Sequence, residues 1–310
     1  MFSGQGSQYY HMGKELYTTN KTFKYWMSKI NSIIEQNAGI CIIEEMYSTA
    51  INPSTIFNQL LYTHPAIFMV EYSLARVLIE GGIEPDYLLG ASLGEFTAAA
   101  VAGVISLEET LECLLRQTTL VEKSCQKGRM TAIIHNFELY SQSPIISQQS
   151  ELAAINYATH FVVSGNRHHL ITVEEYLRTK EILFMALPVN YGFHSANIEP
   201  IETEHKKNLN KISYKKPEIP VISCLVSGVI GNICPEHCWN VIRRPIYFQK
   251  TVEKLEEDGQ FHYIDLGPSG TLANFVKRNL SPNSISEVYD VLTPFGQEVK
   301  KLQRLKEHLN

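Results

Sequence analysis

The sequence predicts an α/β protein whose large domain is interrupted by a smaller β-α-β-β-α-β unit. Helical and extended patterns alternate along most of the 310 residues, and no internal repeat or Pro/Gly/Ser-rich linker separates them. A G-x-S-x-G pattern at residues 90–94 joins a short buried strand to a helix. After about residue 125 the pattern changes to short strands with two helical segments, which marks the inserted unit.

The first part of the predicted large domain leads into the G-x-S-x-G turn. Apolar side chains recur at helical spacing over residues 65–79, and a Gly-Gly pair ends this predicted buried helix. Residues 87–89 predict a short buried strand that runs directly into the turn at 90–94, and strong helix formers follow it. A capping box at residues 106–109 predicts a further helix that extends to about residue 125.

The inserted unit is predicted to be a small domain of the ferredoxin-like type. Its strand-like segments are residues 130–134, 153–157, 161–164 and 182–189, and its helical segments are residues 147–152 and 171–180. We therefore predict a ferredoxin-like small domain over residues 126–189 and a large domain formed by residues 1–125 and 190–310.

Charge and composition exclude several classes of function. The net charge is −5 and the pI is about 6.1, so the protein has no positive field that would attract nucleic acid or anionic lipid. Residues 96–107 form the longest uncharged apolar stretch, well below the ~20 residues that a membrane-spanning helix needs. The first residues lack the pattern of a secretory signal, so we expect a cytoplasmic protein.

The cysteines predict neither disulfides nor a metal site. Six cysteines are scattered along a chain without an export signal, which favours free thiols. Cys234, His237 and Cys238 are close in sequence, but no second pair of ligands follows at the spacing of a zinc module. We therefore expect no metal and no cofactor.

Ser92, at the centre of the G-x-S-x-G pattern, is the candidate nucleophile. The flanking glycines allow a sharp turn, and the start of the following helix offers backbone amides where an oxyanion would form. A plain strand-to-helix turn rich in glycine would give the same pattern, so the pattern alone leaves both interpretations open. Another glycine cluster, at residues 4–8, lacks the features of a phosphate loop and predicts only a flexible start.

His194 is the candidate base for this serine. It lies in a loop directly after the last predicted strand of the small domain, where a side chain can reach a cleft. An ordinary loop histidine would fit the same position. Asp is absent from residues 93–194, so we do not expect a carboxylate triad, and a backbone carbonyl would suffice to fix the tautomer of the imidazole.

Taken together, the chain resembles the malonyl-CoA:acyl-carrier-protein transacylase family, which includes the acyltransferase domains of polyketide synthases. The resemblance covers nearly the whole chain. It rests on five ordered motifs: F-S-G-Q-G-S-Q at 2–8, G-A-S-L-G-E at 90–95, Y-G-F-H at 191–194, R-R-P-I-Y-F at 243–248 and D-L-G-P at 265–268. Family chains usually have a complete strand before G-Q-G-S-Q, so the position of the native start stays open.

The resemblance implies a fold and a set of roles. It implies an α/β-hydrolase-like large domain with the ferredoxin-like small domain inserted and the active site between them. Ser92 would carry the acyl group as an ester, and His194 would be the general base. The oxyanion-hole amides would be those of Gln5 and Leu93, and a backbone carbonyl at Val241 would orient the histidine. The reaction would be ping-pong, with a thioester as donor.

Three positions of the predicted substrate pocket bear on which acyl group binds. Malonyl-transferring members carry an arginine on the second helix after the nucleophile, where it binds the free carboxylate. This chain has Gln117 there, and Arg116 points about 100° away around the helix. Ala91 replaces the histidine that is usual beside the nucleophile, which leaves room next to the acyl group. Phe193, by contrast, belongs to a G-F-H sequence that resembles the malonyl-type motif.

These departures favour one function and leave a second open. They resemble the acyl hydrolases found beside trans-acyltransferase polyketide synthases, which remove stalled acyl groups from carrier proteins with water as acceptor. The alternative is a malonyl-CoA:acyl-carrier-protein transacylase that loads extender units in trans. A non-catalytic carrier-docking subunit would be a third class, but both dyad residues are present. The expected partner is an acyl carrier protein, with acyl-CoA as a further possible donor, and we expect a monomer.

Overall fold

The computed structural model describes residues 1–52 and 55–309, so the last residue of the predicted large domain lies outside the described residues. Its helices, in chain order, are α1 (Lys14–Thr19), α2 (Lys21–Ala38), α3 (Ile42–Met46), α4 (Leu60–Ile79), α5 (Leu93–Val101), α6 (Leu107–Ser124), α7 (Glu138–Gln142), α8 (Pro144–Gln149), α9 (Arg167–Thr179), α10 (Glu202–Leu209), α11 (Pro235–Arg243), α12 (Phe248–Asp258), α13 (Thr271–Asn279) and α14 (Glu298–Leu309). A 3-10 helix covers Ala196–Ile201.

The strands, in chain order, are β1 (Leu88–Gly90), β2 (Gly128–Ile133), β3 (Glu151–Tyr157), β4 (His160–Asn166), β5 (Phe184–Ala186), β6 (Val221–Ser223), β7 (Gly228–Ile230), β8 (His262–Asp265) and β9 (Glu287–Asp290). They form a three-stranded, a four-stranded and a two-stranded sheet within the described residues.

The large domain is built on parallel pairs of short strands. β1 pairs with β6 and β8 pairs with β9, both in parallel, and β7 adds an antiparallel edge to β6. The first two residues connect the two sheets: the Phe2 amide donates to the Leu89 carbonyl at 2.8 Å, and the Leu266 amide donates to the Met1 carbonyl at 3.0 Å. The carboxyl end of β1, where Ser92 follows, therefore lies in the middle of this layer.

Helix α4 is the central helix of the large domain. Nearly all of its side chains are buried, because it packs against α2, α5 and α6 on different sides. This agrees with the predicted buried helix at residues 65–79, and the structure extends it back to Leu60. The predicted N-cap of α6 is also present, since the Ser106 hydroxyl accepts from the Glu109 amide at 3.2 Å and donates to Glu109 Oε2 at 2.7 Å.

The inserted segment forms a separate antiparallel sheet in the order β3-β4-β2-β5. Helices α7 and α8 connect its first two strands, and α9 connects its last two, which is the β-α-β-β-α-β topology of a ferredoxin-like fold. Its own core contains Ile133, Phe161 and Leu170. The predicted fold class, an α/β-hydrolase-like large domain with an inserted ferredoxin-like small domain, is confirmed.

Two elements of the small domain differ from the prediction. The predicted strand at residues 182–189 is only Phe184–Ala186 long, because Pro188 has no amide hydrogen with which to extend the ladder. The predicted helix at residues 147–152 begins and ends earlier, at Pro144–Gln149, since proline fits the first turn of a helix. β3 then starts at Glu151.

One edge of the small domain joins the large domain. The Ile246 amide donates to the Ala153 carbonyl, and the Ile155 amide donates to the Ile246 carbonyl, both at 2.9 Å. β3 is thereby fixed next to the start of α12, and a cleft remains between the two domains. Among the helices that the structure describes, none is long and apolar enough to cross a membrane.

Candidate active site

Ser92 lies in the sharp turn between β1 and α5. Its backbone has φ 56° and ψ −122°, a conformation that costs a residue other than glycine about 1–3 kcal/mol. The flanking glycines are required by space: a Cβ on Gly90 would lie 2.4 Å from the Cα of Glu95, and one on Gly94 would lie 2.0 Å from the Phe2 carbonyl oxygen. The G-x-S-x-G pattern therefore has a steric cause at both glycines.

The structure brings Ser92 and His194 together across the cleft. Ser92 Oγ is 2.9 Å from His194 Nε2. His194 also has a positive φ of 60°, and its backbone amide donates to the Ile242 carbonyl at 2.9 Å, which anchors the loop to α11. The separation of Ser92 Oγ and His194 Nε2 is short enough for the imidazole to take the proton of the serine hydroxyl.

A backbone carbonyl contacts the other nitrogen of this imidazole. His194 Nδ1 is 2.8 Å from the carbonyl oxygen of Arg244. Because that oxygen can only accept, Nδ1 carries the hydrogen, and Nε2 offers its lone pair to Ser92. The predicted position, Val241, was wrong by three residues. Val241 lies inside α11, where carbonyls point along the helix axis, whereas Arg244 is the extended residue that ends the helix.

Burial keeps His194 neutral. The side chain is almost fully enclosed, and desolvation lowers its pKa from 6.5 to about 4. The hydrogen bond to the Arg244 carbonyl raises the pKa again in part, and the nearby charge of Arg243 lowers it. At pH 7 the imidazole is therefore present in its basic form.

Gln5 and Leu93, the predicted oxyanion-hole residues, both lie next to Ser92. Leu93 is the first residue of α5, so its amide has no partner within the helix. Gln5 belongs to the loop opposite, where a Cβ on the neighbouring Gly4 would lie only 3.0 Å from Ser92 Cβ. Both residues line the cavity that contains Ser92. No hydrogen bond to either amide occurs among residues 1–52 and 55–309, so both remain available to an oxyanion.

The loop that carries Gln5 is packed, contrary to the predicted flexible start. Glu71 of α4 accepts from the Ser3 amide at 2.6 Å and from the Ser3 hydroxyl at 2.8 Å, and the Ser7 hydroxyl donates to the Gly4 carbonyl at 2.9 Å. Glu71 is fully buried, and desolvation raises its pKa to about 8. Sequence reasoning missed it, although a lone carboxyl inside an apolar helix pattern was a signal.

Ser92 and His194 lie in a cavity of about 340 Å³ between the two domains. Its walls come from the loop after Phe2, from α4, α6 and α13, and from all four strands of the small-domain sheet. Among the described residues that line it, none is Lys, Arg, Asp or Glu. The described lining of the cavity thus consists of apolar and uncharged polar side chains.

The predicted pocket residues all line this cavity. Gln117 is buried on α6, and its Oε1 has no hydrogen-bond partner within the described part of the chain. Ala91 precedes the serine, and Phe193 precedes the histidine, with its carbonyl accepting from Ser164 Oγ at 2.6 Å. Arg116 lies outside the cavity and pairs with Glu112 on the surface. Sequence reasoning missed His64, which also lines the cavity.

Among the described residues, two side-chain groups could suggest a metal, and neither lies at the cleft. His237 Nε2 is 3.0 Å from Glu95 Oε2, so that histidine is engaged in a buried pair instead of in a site with the neighbouring cysteines. His262, Glu287 and His308 lie within reach of one ion, but all three are exposed and none lines the cavity. The cysteines are free thiols.

This combination of fold and dyad is that of an acyltransferase. The acyl transferase domain family matches residues 1–309. The chain is 44% identical over 306 residues to the polyketide biosynthesis acyltransferase homolog PksD of Bacillus subtilis, covering 99% of this chain and 94% of the relative. It is 42% identical over 309 residues to the homolog BaeD of Bacillus velezensis, covering 100% and 95%.

Solved structures agree with this assignment. The malonyl CoA-acyl carrier protein transacylase from Clostridium perfringens superposes with a TM-score of 0.82 at 25% identity, covering 99% of this chain and 96% of that one. The chain therefore belongs to the acyl transferase domain family, and it is an acyltransferase-family enzyme of the polyketide synthase type.

Proposed function

We propose that this protein is an acyl hydrolase that removes acyl groups from the acyl carrier proteins of a polyketide synthase, acting as a monomer in the cytoplasm. The observation that carries this proposal is the cavity around Ser92 and His194, which no cationic side chain lines among the described residues. The names of PksD and BaeD connect these relatives with polyketide biosynthesis. Acyl groups on carrier proteins are thioesters, which a neutral serine–histidine pair can cleave.

In the first half-reaction Ser92 takes the acyl group. Its Oγ attacks the thioester carbonyl while His194 Nε2 accepts the hydroxyl proton. The amides of Gln5 and Leu93 hydrogen-bond the oxyanion of the tetrahedral intermediate. The intermediate collapses, the C–S bond breaks, and the imidazolium returns the proton to the leaving thiolate. The Arg244 carbonyl stabilises the imidazolium during this step.

In the second half-reaction water is the nucleophile. His194 Nε2 accepts a proton from the water molecule as its oxygen attacks the ester carbonyl of acyl-Ser92. The same two amides would hold the second oxyanion. Collapse breaks the ester bond, the proton passes from the imidazolium to Ser92 Oγ, and the free acid leaves. This step restores the free hydroxyl of Ser92 and the neutral imidazole of His194.

The lack of a cationic side chain in the described cavity lining favours neutral acyl groups over malonyl. A malonyl carboxylate would be moved from water to a site whose nearest predicted partner, Gln117, is an uncharged amide. Loss of a charge-assisted hydrogen bond costs about 1.5–3 kcal/mol, and a buried unpaired charge costs more. Both effects favour neutral acyl chains over malonyl.

One observation supports the alternative, a malonyl-CoA:acyl-carrier-protein transacylase. The G-F-H sequence at residues 192–194 resembles the malonyl-type motif, and a transacylase shares this fold. In that case a carrier thiol would replace water in the second half-reaction. The serine, the histidine and the oxyanion amides would keep the same roles.

The proposal is tested with a panel of acetyl-, butyryl- and malonyl-carrier proteins and malonyl-CoA, in the presence of excess carrier with a free phosphopantetheine thiol. We expect free acetate and butyrate to appear faster than malonyl is moved to the free carrier. The Ser92→Ala variant supplies the background rate. Faster malonyl transfer than neutral acyl cleavage would refute the hydrolase and support the transacylase.

A further inference from the structure

The cavity contains buried polar atoms whose hydrogen-bonding capacity is unused. His64 lies on α4 with 3% of its surface exposed, and neither of its ring nitrogens has a partner within the described residues. Gln117 lies on α6 with 1% exposed, and its Oε1 is likewise without a partner there. Both residues line the cavity that contains Ser92. Since buried polar groups are nearly always paired, a ligand group is the natural missing partner.

His64 is held uncharged by its surroundings. Desolvation lowers its pKa to about 3, and no carboxylate lines this cavity in the described chain to counter that effect. Its ring centroid is 5.4 Å from that of Phe193, the residue before the histidine that contacts Ser92. Neutral imidazole offers one N–H donor and one acceptor nitrogen, and a carboxamide offers the same pair of functions.

This set of atoms matches one kind of acyl chain better than others. A purely alkyl chain would leave the buried nitrogens and Oε1 without partners, which is costly. A carboxylate only accepts hydrogen bonds, so it would find no cation and would leave Oε1 without a partner. A hydroxyl both donates and accepts, so it can complete one hydrogen bond with each side chain.

We propose that His64 and Gln117 together form a neutral polar subsite that binds a hydroxyl group on the acyl chain, so that the enzyme prefers hydroxyacyl thioesters over alkyl and malonyl ones. This inference rests on the proposed role of Ser92 as acyl acceptor. It does not depend on whether water or a thiol removes the acyl group afterwards.

The test is a competition at the acylation step. Protein is mixed with equal amounts of butyryl- and 3-hydroxybutyryl-carrier thioesters, and the ratio of the two acyl-Ser92 adducts is read by rapid-quench mass spectrometry of the intact protein. We expect the hydroxyacyl adduct to exceed the butyryl adduct by about 2- to 12-fold, the value of one satisfied neutral hydrogen bond. A 3-oxobutyryl thioester, whose extra oxygen can only accept hydrogen bonds, shows whether the hydroxyl donor is needed. A malonyl thioester shows the effect of a negative charge.

Variants show whether these two side chains cause the preference. His64→Leu and Gln117→Leu should each abolish the excess of the hydroxyacyl adduct while butyryl acylation persists. His64→Gln, which keeps a donor and an acceptor, should retain it. The control is His205→Leu. His205 is also a buried histidine whose ring nitrogens have no partner among the described residues, but it does not line the cavity. That variant should leave the ratio unchanged.

Two outcomes would overturn the inference: a wild-type ratio of one or below, or Leu variants that slow both substrates equally. The failure of the proposed function looks different. If acyl-Ser92 forms with the hydroxyacyl preference but no free acid appears, the subsite stands and the hydrolase proposal falls. If no adduct forms with any substrate, the role of Ser92 itself is wrong.

Discussion

The Gln117→Arg substitution should increase the rate at which Ser92 accepts a malonyl group. Gln117 is almost fully buried and lines the cavity with Ser92, so an arginine there would place a guanidinium next to the acyl group. A charge-assisted, bidentate hydrogen bond to the malonyl carboxylate is worth about 1.5–3 kcal/mol, which corresponds to a gain of about 10- to 150-fold. We expect kcat/KM for formation of malonyl-Ser92 to rise by this factor.

The assay is the rate of malonyl-Ser92 formation from malonyl-CoA, followed by quenched mass spectrometry. Arg116→Gln is a matched control, because it removes an existing cation from the same helix but outside the cavity, and it should not change malonyl loading. The new guanidinium would have no carboxylate partner among the described lining residues, so thermal stability should fall, and folding must be checked by circular dichroism. A folded variant without any gain in malonyl loading would refute the charge argument.

Three further predictions concern Ser92, Glu71 and His205. Ser92→Ala should abolish the covalent adduct in mass spectra, and persistent labelling would remove Ser92 from its role. Glu71→Leu should lower kcat at least tenfold, whereas Glu71→Gln should retain more activity. The glutamine oxygen can still accept hydrogen bonds from Ser3, and leucine cannot; equal losses of kcat in the two variants would contradict this. The free energy of unfolding, measured in urea titrations, should fall between pH 6.5 and pH 5. This fall should be about 1.5 kcal/mol smaller in His205→Leu than in wild type.

The sign of the last prediction follows from the pKa of His205. Burial lowers it from 6.5 to about 4, so in this pH range the unfolded chain binds a proton that the folded protein does not. The stabilisation from this group is complete above pH 6.5 and is lost as the pH falls toward 4. A variant with the same pH dependence as wild type would show that His205 does not titrate in this way.

The sequence predicted those features whose causes are local. The glycines around Ser92 are fixed by contacts within the turn and with Phe2, and the pattern G-x-S-x-G expresses them directly. The ferredoxin-like unit was predictable because its strands and helices alternate without interruption. Its last strand is shorter than predicted because a single proline limits the ladder.

The features that the sequence did not predict depend on distant parts of the chain. The carbonyl next to His194 Nδ1 belongs to Arg244 and not to Val241. The position at which α11 ends determines which carbonyl is free to point away from the helix axis. Glu71 was missed because its partner Ser3 is 68 residues away. His64 was missed because only tertiary packing brings it into one cavity with Gln117.

The central claim is that water removes the acyl group from Ser92, and isotope labelling tests it most directly. Acyl-Ser92 is formed from butyryl-carrier protein, separated rapidly from the carrier, and diluted into ¹⁸O-water without any thiol. The account predicts butyric acid that carries one ¹⁸O atom, released at the rate at which the adduct disappears. An adduct that persists until a carrier thiol is added, with no labelled acid, would contradict the account.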